Sequence, residues 1–179
     1  MGAIVAVEYL TLDGVMEEPR WSGPYFNEEL QGFQLDNLMS ADALLLGRVT
    51  YEGFKAAWPA MANDEAGFGR KMNGMPKYVA TRTLTTPEWN ATFLGDDVAG
   101  EVAAIKQTDQ RLLINGSANL VNYLARNDLV DEYRLMVFPV VVGSGKHLFD
   151  AAGPQRDLTL TDTRTTESGV AILTYTPAR

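Results

Sequence analysis

The chain contains no cysteine. That excludes disulfides, thiolate metal sites and a thiol nucleophile. It contains one histidine, His147, so a multi-histidine metal centre is excluded as well. No metal site is expected. Basic residues are in the minority: 15 Lys and Arg against 23 Asp and Glu give a formal net charge of −8. This balance argues against a general nucleic-acid surface and against adhesion to anionic membranes, yet leaves room for a small basic pocket around a phosphorylated ligand. No apolar run is long enough to span a bilayer. The N-terminus has no basic n-region and reaches Glu8 too soon for a signal peptide. The cytoplasm is the expected setting. No linker, repeat or low-complexity stretch divides the 179 residues, a length that suits one domain with a sizeable core.

What the chain does have is a series of short apolar runs, each ending at a glycine or hydroxyl corner. The organising one is Ala43-Leu44-Leu45-Leu46, followed by Gly47-Arg48-Val49-Thr50-Tyr51-Glu52. A continuous apolar run of this length reads as a strand covered on both faces. Gly47 allows a sharp turn and a close approach to a ligand. Thr50 is the expected N-cap of a helix over 50–57. A helix start aims free N–H groups and the positive end of its dipole at whatever lies above the strand. With Arg48 and Thr50 beside it, the corner reads either as an anion seat or as a plain strand–turn–helix corner.

Residues 3–10 read as a first, central strand, and Asp13-Gly14 as the corner of the turn after it. The loop to Pro24 holds Met16 and Trp21, which either cover a flat ligand or staple the loop to the core. A helix is expected over 25–39, with Phe26, Leu30, Phe33 and Leu38 as its inner stripe. Glu29 falls at the border of that stripe. It is either a half-buried acid fit for proton transfer or a surface acid near a helix start. A further helix is expected within 65–72, a strand over 76–81, a short strand over 91–94 and a helix over 96–107. Arg111 to Ile114 is another buried strand. It ends in Asn115-Gly116-Ser117, with Ser117 the N-cap of a helix to Asn127. A long strand is expected over 129–142. Residues 158–165 and 170–176 alternate around Glu167-Ser168-Gly169 and read as an antiparallel hairpin. The expected fold is a single three-layer α/β domain, its central sheet mostly parallel with an antiparallel C-terminal hairpin.

Three strand ends carry ligand-type chemistry: Gly47-Arg48-Val49-Thr50, Thr81-Arg82-Thr83 and Asn115-Gly116-Ser117-Ala118-Asn119-Leu120. In a parallel sheet such ends share one edge. Two guanidiniums and a glycine turn suit a ligand with several phosphates. A dinucleotide with a 2′-phosphate needs such an extra cation. The G-x-G-x-x-G fingerprint is absent, which excludes an ordinary Rossmann site.

The ordered set Leu12-Asp13-Gly14, Leu46 to Glu52, Asn115-Gly116-Ser117, Leu129-Val130-Asp131-Glu132-Tyr133, Pro139, Gly143-Ser144-Gly145 and Leu148-Phe149 resembles the dihydrofolate reductase superfamily. Within it, the chain is similar to the C-terminal reductase domain of riboflavin-biosynthesis proteins, over nearly its whole length. The resemblance implies a dihydrofolate reductase-like fold and reduction of flat nitrogen heterocycles or ribosylamino-pyrimidines with NADPH. It implies that Tyr9 to Met16 line the nicotinamide, with Thr11 facing substrate. Gly47, Arg48 and Thr50 would hold cofactor phosphates, and Thr81 and Arg82 would lie by the 2′-phosphate. Asn115, Gly116, Ser117, Ala118, Asn119 and Leu120 would take the diphosphate. The family's acid, followed by Leu and four positions on by Phe, falls on Glu29, Leu30 and Phe33. Glu29 is therefore the candidate proton donor, with Asp13 behind it. Trp21 and Phe33, with Met16, are candidate walls for a flat substrate, and Lys146 is a candidate for a substrate phosphate.

Two departures stand out. The family's turn is usually Gly-Gly where this chain has Asn115-Gly116, and no deaminase domain is expected ahead of the reductase-like part. A rival reading is a dinucleotide-binding or sensing module that reduces nothing. A homodimer is expected, and a second rival reading is a structural homodimer subunit whose corners are plain turns and whose strand over 130–142 and edge hairpin pair across a two-fold axis.

Overall fold

The computed structural model describes residues 1–149 and 151–179. Six strands run parallel: β1 (Ala3–Thr11), β2 (Ala43–Gly47), β3 (Lys77–Ala80), β4 (Ala91–Leu94), β5 (Arg111–Ile114) and β6 (Glu132–Phe138). Two more, β7 (Leu158–Thr165) and β8 (Ala171–Pro177), form an antiparallel hairpin, and β8 also pairs antiparallel with β6. The sheet order is β4-β3-β2-β5-β1-β6-β8-β7.

Both faces of the parallel part are covered, which is why its strands read as continuous apolar runs. Alternate residues go to opposite faces. Ile4, Ala6, Ala43, Leu45, Leu112 and Ile114 pack beneath α4 (Val98–Lys106) and α5 (Ala118–Arg126). Val5, Val7, Leu44, Leu46 and Leu113 pack beneath α1 (Glu28–Met39), α2 (Arg48–Ala57) and α3 (Phe68–Gly74). The three-layer α/β architecture and the antiparallel C-terminal hairpin are therefore as the sequence led us to expect.

The topology decides where a ligand can sit. The chain leaves β1 and β2 on the α1–α2 face, whereas it leaves β5, lying between them, on the α5 face. Such a switch opens a crevice at the C-terminal ends of the strands. The ends of β1, β2, β3, β5 and β6 share that edge.

Several boundaries differ from expectation, each for a physical reason. Helix α1 begins at Glu28, not at residue 25, because Pro24 lies in a 3-10 turn over Pro19–Tyr25 and Asn27 is the cap. The Asn27 side chain accepts the Leu30 N–H at 3.1 Å. Phe26 consequently misses the inner stripe and is 43% exposed. Helix α2 begins at Arg48 with Gly47 as its N-cap, so Thr50 sits inside the first turn and caps nothing. Strand β6 stops at Phe138, because Pro139 has no N–H to donate. The chain then leaves the sheet, and the Leu12 N–H donates to the Val140 carbonyl at 2.9 Å. Lying between β1 and β8, β6 has no edge to offer a second copy, which corrects the expected pairing through 130–142.

Candidate active site

The corners after β2 and β5 interlock. A Cβ on Gly47 would lie 2.6 Å from the Ser117 Oγ, and a Cβ on Gly116 would lie 3.0 Å from the Thr50 Oγ1. Gly116 also needs its freedom of backbone, since its φ is +98°. The peptide between Gly116 and Ser117 is cis. Ser117 caps α5 as expected, its Oγ accepting the Leu120 N–H at 3.3 Å. Two glycines thus let the N-termini of α2 and α5 converge on one spot. First-turn N–H groups and dipole ends of both helices meet there, which favours an anion. Ala118 and Leu120 are buried and Asn119 is exposed, so this turn offers backbone groups more than side chains. Asn115 is half-buried just before it.

The basic groups stand beside this spot. Arg48 is exposed and its Nη1 pairs with the Glu52 Oε2 at 2.8 Å, one helical turn away. Ala80 pairs with Gly47 across the sheet, which puts Thr81 and Arg82 next to the first corner. The Thr81 Oγ1 accepts the Thr83 and Leu84 N–H groups at 3.3 and 3.2 Å, shaping the turn, while Arg82 is exposed.

Beneath the interlocked corners lies a group not singled out from sequence. Glu8, on β1, is 4% exposed and its Oε1 accepts the Gly116 N–H at 2.9 Å. Burial pushes its carboxyl up to about 8, against a smaller opposing effect of that hydrogen bond. The signal was present in the sequence as a lone acid within Ala-Ile-Val-Ala-Val-Glu-Tyr-Leu, at a position that alternation sends inward.

An aromatic wall flanks the site on the α1 face. Tyr9 from β1, and Trp21 and Tyr25 from the 3-10 turn, all meet Phe138 edge-on, with centroids 5.4, 5.3 and 6.2 Å away. Phe33 belongs to the same cluster. The Tyr9 hydroxyl accepts from the Gln34 amide at 3.2 Å, and burial raises its phenol above the ordinary value. Trp21 and Phe33 thus share this layer of the core, Phe33 with the Arg164 guanidinium 5.3 Å from its ring centroid. Met16 does not: it packs against the cluster on the α5 face.

Three expected site residues, Thr11, Asp13 and Glu29, are engaged in contacts within the fold, while Lys146 keeps an exposed side chain. Thr11 is 1% exposed; its hydroxyl donates to the Asp13 Oδ1 at 2.5 Å and accepts the Val15 N–H at 2.9 Å. That leaves its hydroxyl engaged within its own loop. Asp13 also accepts the Gly143 N–H at 2.9 Å. The Thr11 hydroxyl first, and the Gly143 amide next, hold its carboxyl below the usual range. A carboxylate so held accepts and does not donate at neutral pH. Asp13 therefore clasps the loop of residues 12–17 to that of 140–148. Lys146 is exposed on the second loop, its backbone tied to Met16 and Glu17. Glu29 is exposed, not half-buried, and its Oε1 accepts the Glu167 N–H at 2.9 Å. It fastens the start of α1 to the turn between β7 and β8.

Against this geometry the comparisons with known proteins are decisive for the family. The family model described as RibD C-terminal domain matches residues 3–173. The chain belongs to the RibD C-terminal domain family. It is 31% identical over 173 residues to the uncharacterised protein YyaP of Bacillus subtilis strain 168, covering 93% of this chain and 90% of that one. Among solved structures it resembles a candidate riboflavin biosynthesis protein of Shewanella sp. PV-4, with a TM-score of 0.79, 20% identity and 99% of both chains covered. It also resembles the dihydrofolate reductase of Enterococcus faecalis complexed with NADP(H), with a TM-score of 0.62, 15% identity and 99% and 98% of the two chains covered. At such identities the two structures establish the dihydrofolate reductase-like fold.

The RibD-type fold raises the question of whether the residues present fit a dinucleotide. They do: two glycines keep the interlocked corners free of side chains, two helix starts converge there, and Arg48 and Arg82 are exposed at the adjoining strand ends. Among the described residues no cluster could hold a metal, and no helix is long and apolar enough to cross a membrane.

Proposed function

We propose that this chain is an NADPH-dependent reductase that passes a hydride to a C=N or C=O carbon of a small nitrogen heterocycle or ribosylamino-pyrimidine. The observation that carries the reading is the meeting of Gly47 with Ser117 and of Gly116 with Thr50, beside an aromatic wall. Membership of the RibD C-terminal domain family and the likeness to dihydrofolate reductase support it.

A bound NADPH would supply the hydride; the protein's part is orientation and exclusion of water. The backbone of residues 116–120 and the start of α2 would hold the diphosphate. Arg82, with Thr81, neutralises the 2′-phosphate, and Arg48 adds charge at the rim. Tyr9 would line the place where the nicotinamide is held. Trp21 and Phe33 hold a flat substrate and keep water from it. Asp13 and Thr11 hold the covering loops in register. Glu29 is assigned to the fold and not to proton transfer, so the proton that balances the hydride would come from an ordered water.

The test is loss of the 340 nm absorbance of NADPH over a panel of pterin, folate and pyrimidine substrates. Turnover of at least one, kept in Glu29→Gln, is the expected result. Binding of NADPH without turnover of any would favour the sensing module. The reading includes a homodimer in the cytoplasm, joined along the free edge of β7, whose residues 159–165 are exposed. Light scattering that gives the mass of one chain would contradict that part.

A further inference from the structure

We infer that Glu8 is the positioning residue of the phosphate-binding corner: its neutral carboxyl holds the Gly116 turn in place, and its ionisation weakens the hold on an anionic dinucleotide. The inference rests on the dinucleotide reading above.

Gly116 is caught between two elements. Its N–H reaches down to the Glu8 Oε1 on β1 at 2.9 Å, and its α-carbon faces the Thr50 hydroxyl on α2. Glu8 touches no ligand space of its own; it acts through the turn. Among the described buried residues of the apolar cluster on its face, the titratable one is Tyr133 on β6, whose phenol burial raises above its ordinary value. On its own face of β1 Glu8 lies between Ala6 and Leu10, and on β6 it pairs with Leu135. The same face presents Ile114 from β5, Leu120 and Val121 from α5, and Leu148 from the loop. His147, next to Leu148, is exposed, with its ring beside Gly14. Among the described residues, burial raises the Glu8 carboxyl and the Gly116 hydrogen bond opposes.

Two states of the corner follow. With Glu8 neutral, the field above Gly116 is that of two helix N-termini and two arginines, all favouring an anion. With Glu8 ionised, a poorly screened negative charge sits one hydrogen bond beneath the same spot and opposes the anion. Linkage works in both directions, so a bound anion must also favour the protonated carboxyl. A purely structural buried acid would alter stability with pH and leave affinity unchanged.

The experiment measures the Kd for NADP⁺ between pH 7 and 9.5 on the full chain and on Glu8→Gln. The 2′-phosphate is already doubly ionised there, as phosphate monoesters titrate near pH 6. Lys77, which burial brings down to about 8, titrates in the same window but lies at the start of β3, at the far edge of the sheet, and is common to both proteins. Wild-type Kd is expected to rise roughly 5- to 30-fold across the range, the upper bound being one decade per pH unit above a carboxyl at about 8. Glu8→Gln, which keeps the acceptor oxygen, is expected to match wild type at pH 7 and to stay flat. The Gly116 amide resonance of the unliganded wild type is expected to titrate in the same window, and that of Glu8→Gln is not. Binding with the same pH profile in both proteins overturns the inference and leaves the functional reading standing. A titrating Gly116 amide with no dinucleotide bound at any pH overturns the functional reading, and with it the claim on affinity.

Discussion

Gly47 and Ser117 belong to different strand–helix units, yet a Cβ on the first would stand 2.6 Å from the hydroxyl of the second. Real side chains do not approach so closely, so Gly47→Ala must push the Ser117 Oγ off the Leu120 N–H. Loss of that cap alone costs about 1 kcal/mol. Gly47→Ala is expected to destabilise by about 1–2 kcal/mol in urea unfolding and to weaken dinucleotide binding. Ser117→Ala removes the obstructing hydroxyl. The double variant should therefore lose less than the sum of the two singles, which a double-mutant cycle measures.

Glu8 makes stability depend on pH with a defined sign. Its carboxyl lies near 4.5 in the unfolded chain and about 8 in the fold. Between those values the native state holds a proton that the unfolded state has released. Stability therefore falls as pH rises through the window, by up to about 1.4 kcal/mol per unit, and levels off above it. Glu8→Gln has no such slope. It should equal wild type near pH 4.5 and exceed it by roughly 2 kcal/mol or more at pH 8. Denaturant unfolding at a series of pH values checks this; parallel curves for the two proteins would contradict it.

Asp13 has the opposite sign. Its carboxyl is held below the ordinary value, so its clasp on Gly143 is complete above that range and is lost as pH falls through the folded value. Asp13→Asn keeps the size and removes the charge. It is expected to raise amide exchange in residues 140–148 while leaving that of β1 and β5 unchanged. Equal protection of the 140–148 loop in both proteins would show that the clasp is idle.

The sheet and both helical layers were legible in the sequence because burial on two faces leaves uninterrupted runs such as Ala43 to Leu46 and Arg111 to Ile114. The three corners were legible too, since glycine and hydroxyl residues at strand ends have few other uses. What escaped is what depends on tertiary contact. Spacing offered Phe26 to the inner stripe, but Pro24 and the Asn27 cap decided where α1 begins. Glu29 had the right neighbours in sequence, but the hairpin amide of Glu167, 138 positions away, fixed its place. Thr50 looked like a cap, and the close approach of Gly116 made it a wall instead. Glu8 was visible as an acid in an apolar strand. Its partner, 108 positions on, was not.

The account stands most directly on a titration of the purified chain with NADPH and with NADH, repeated for Arg82→Ala. Tighter binding of NADPH, with the preference abolished in the variant, is the predicted result. Failure of the folded protein to bind either dinucleotide would contradict it and leave the three corners as turns of the fold.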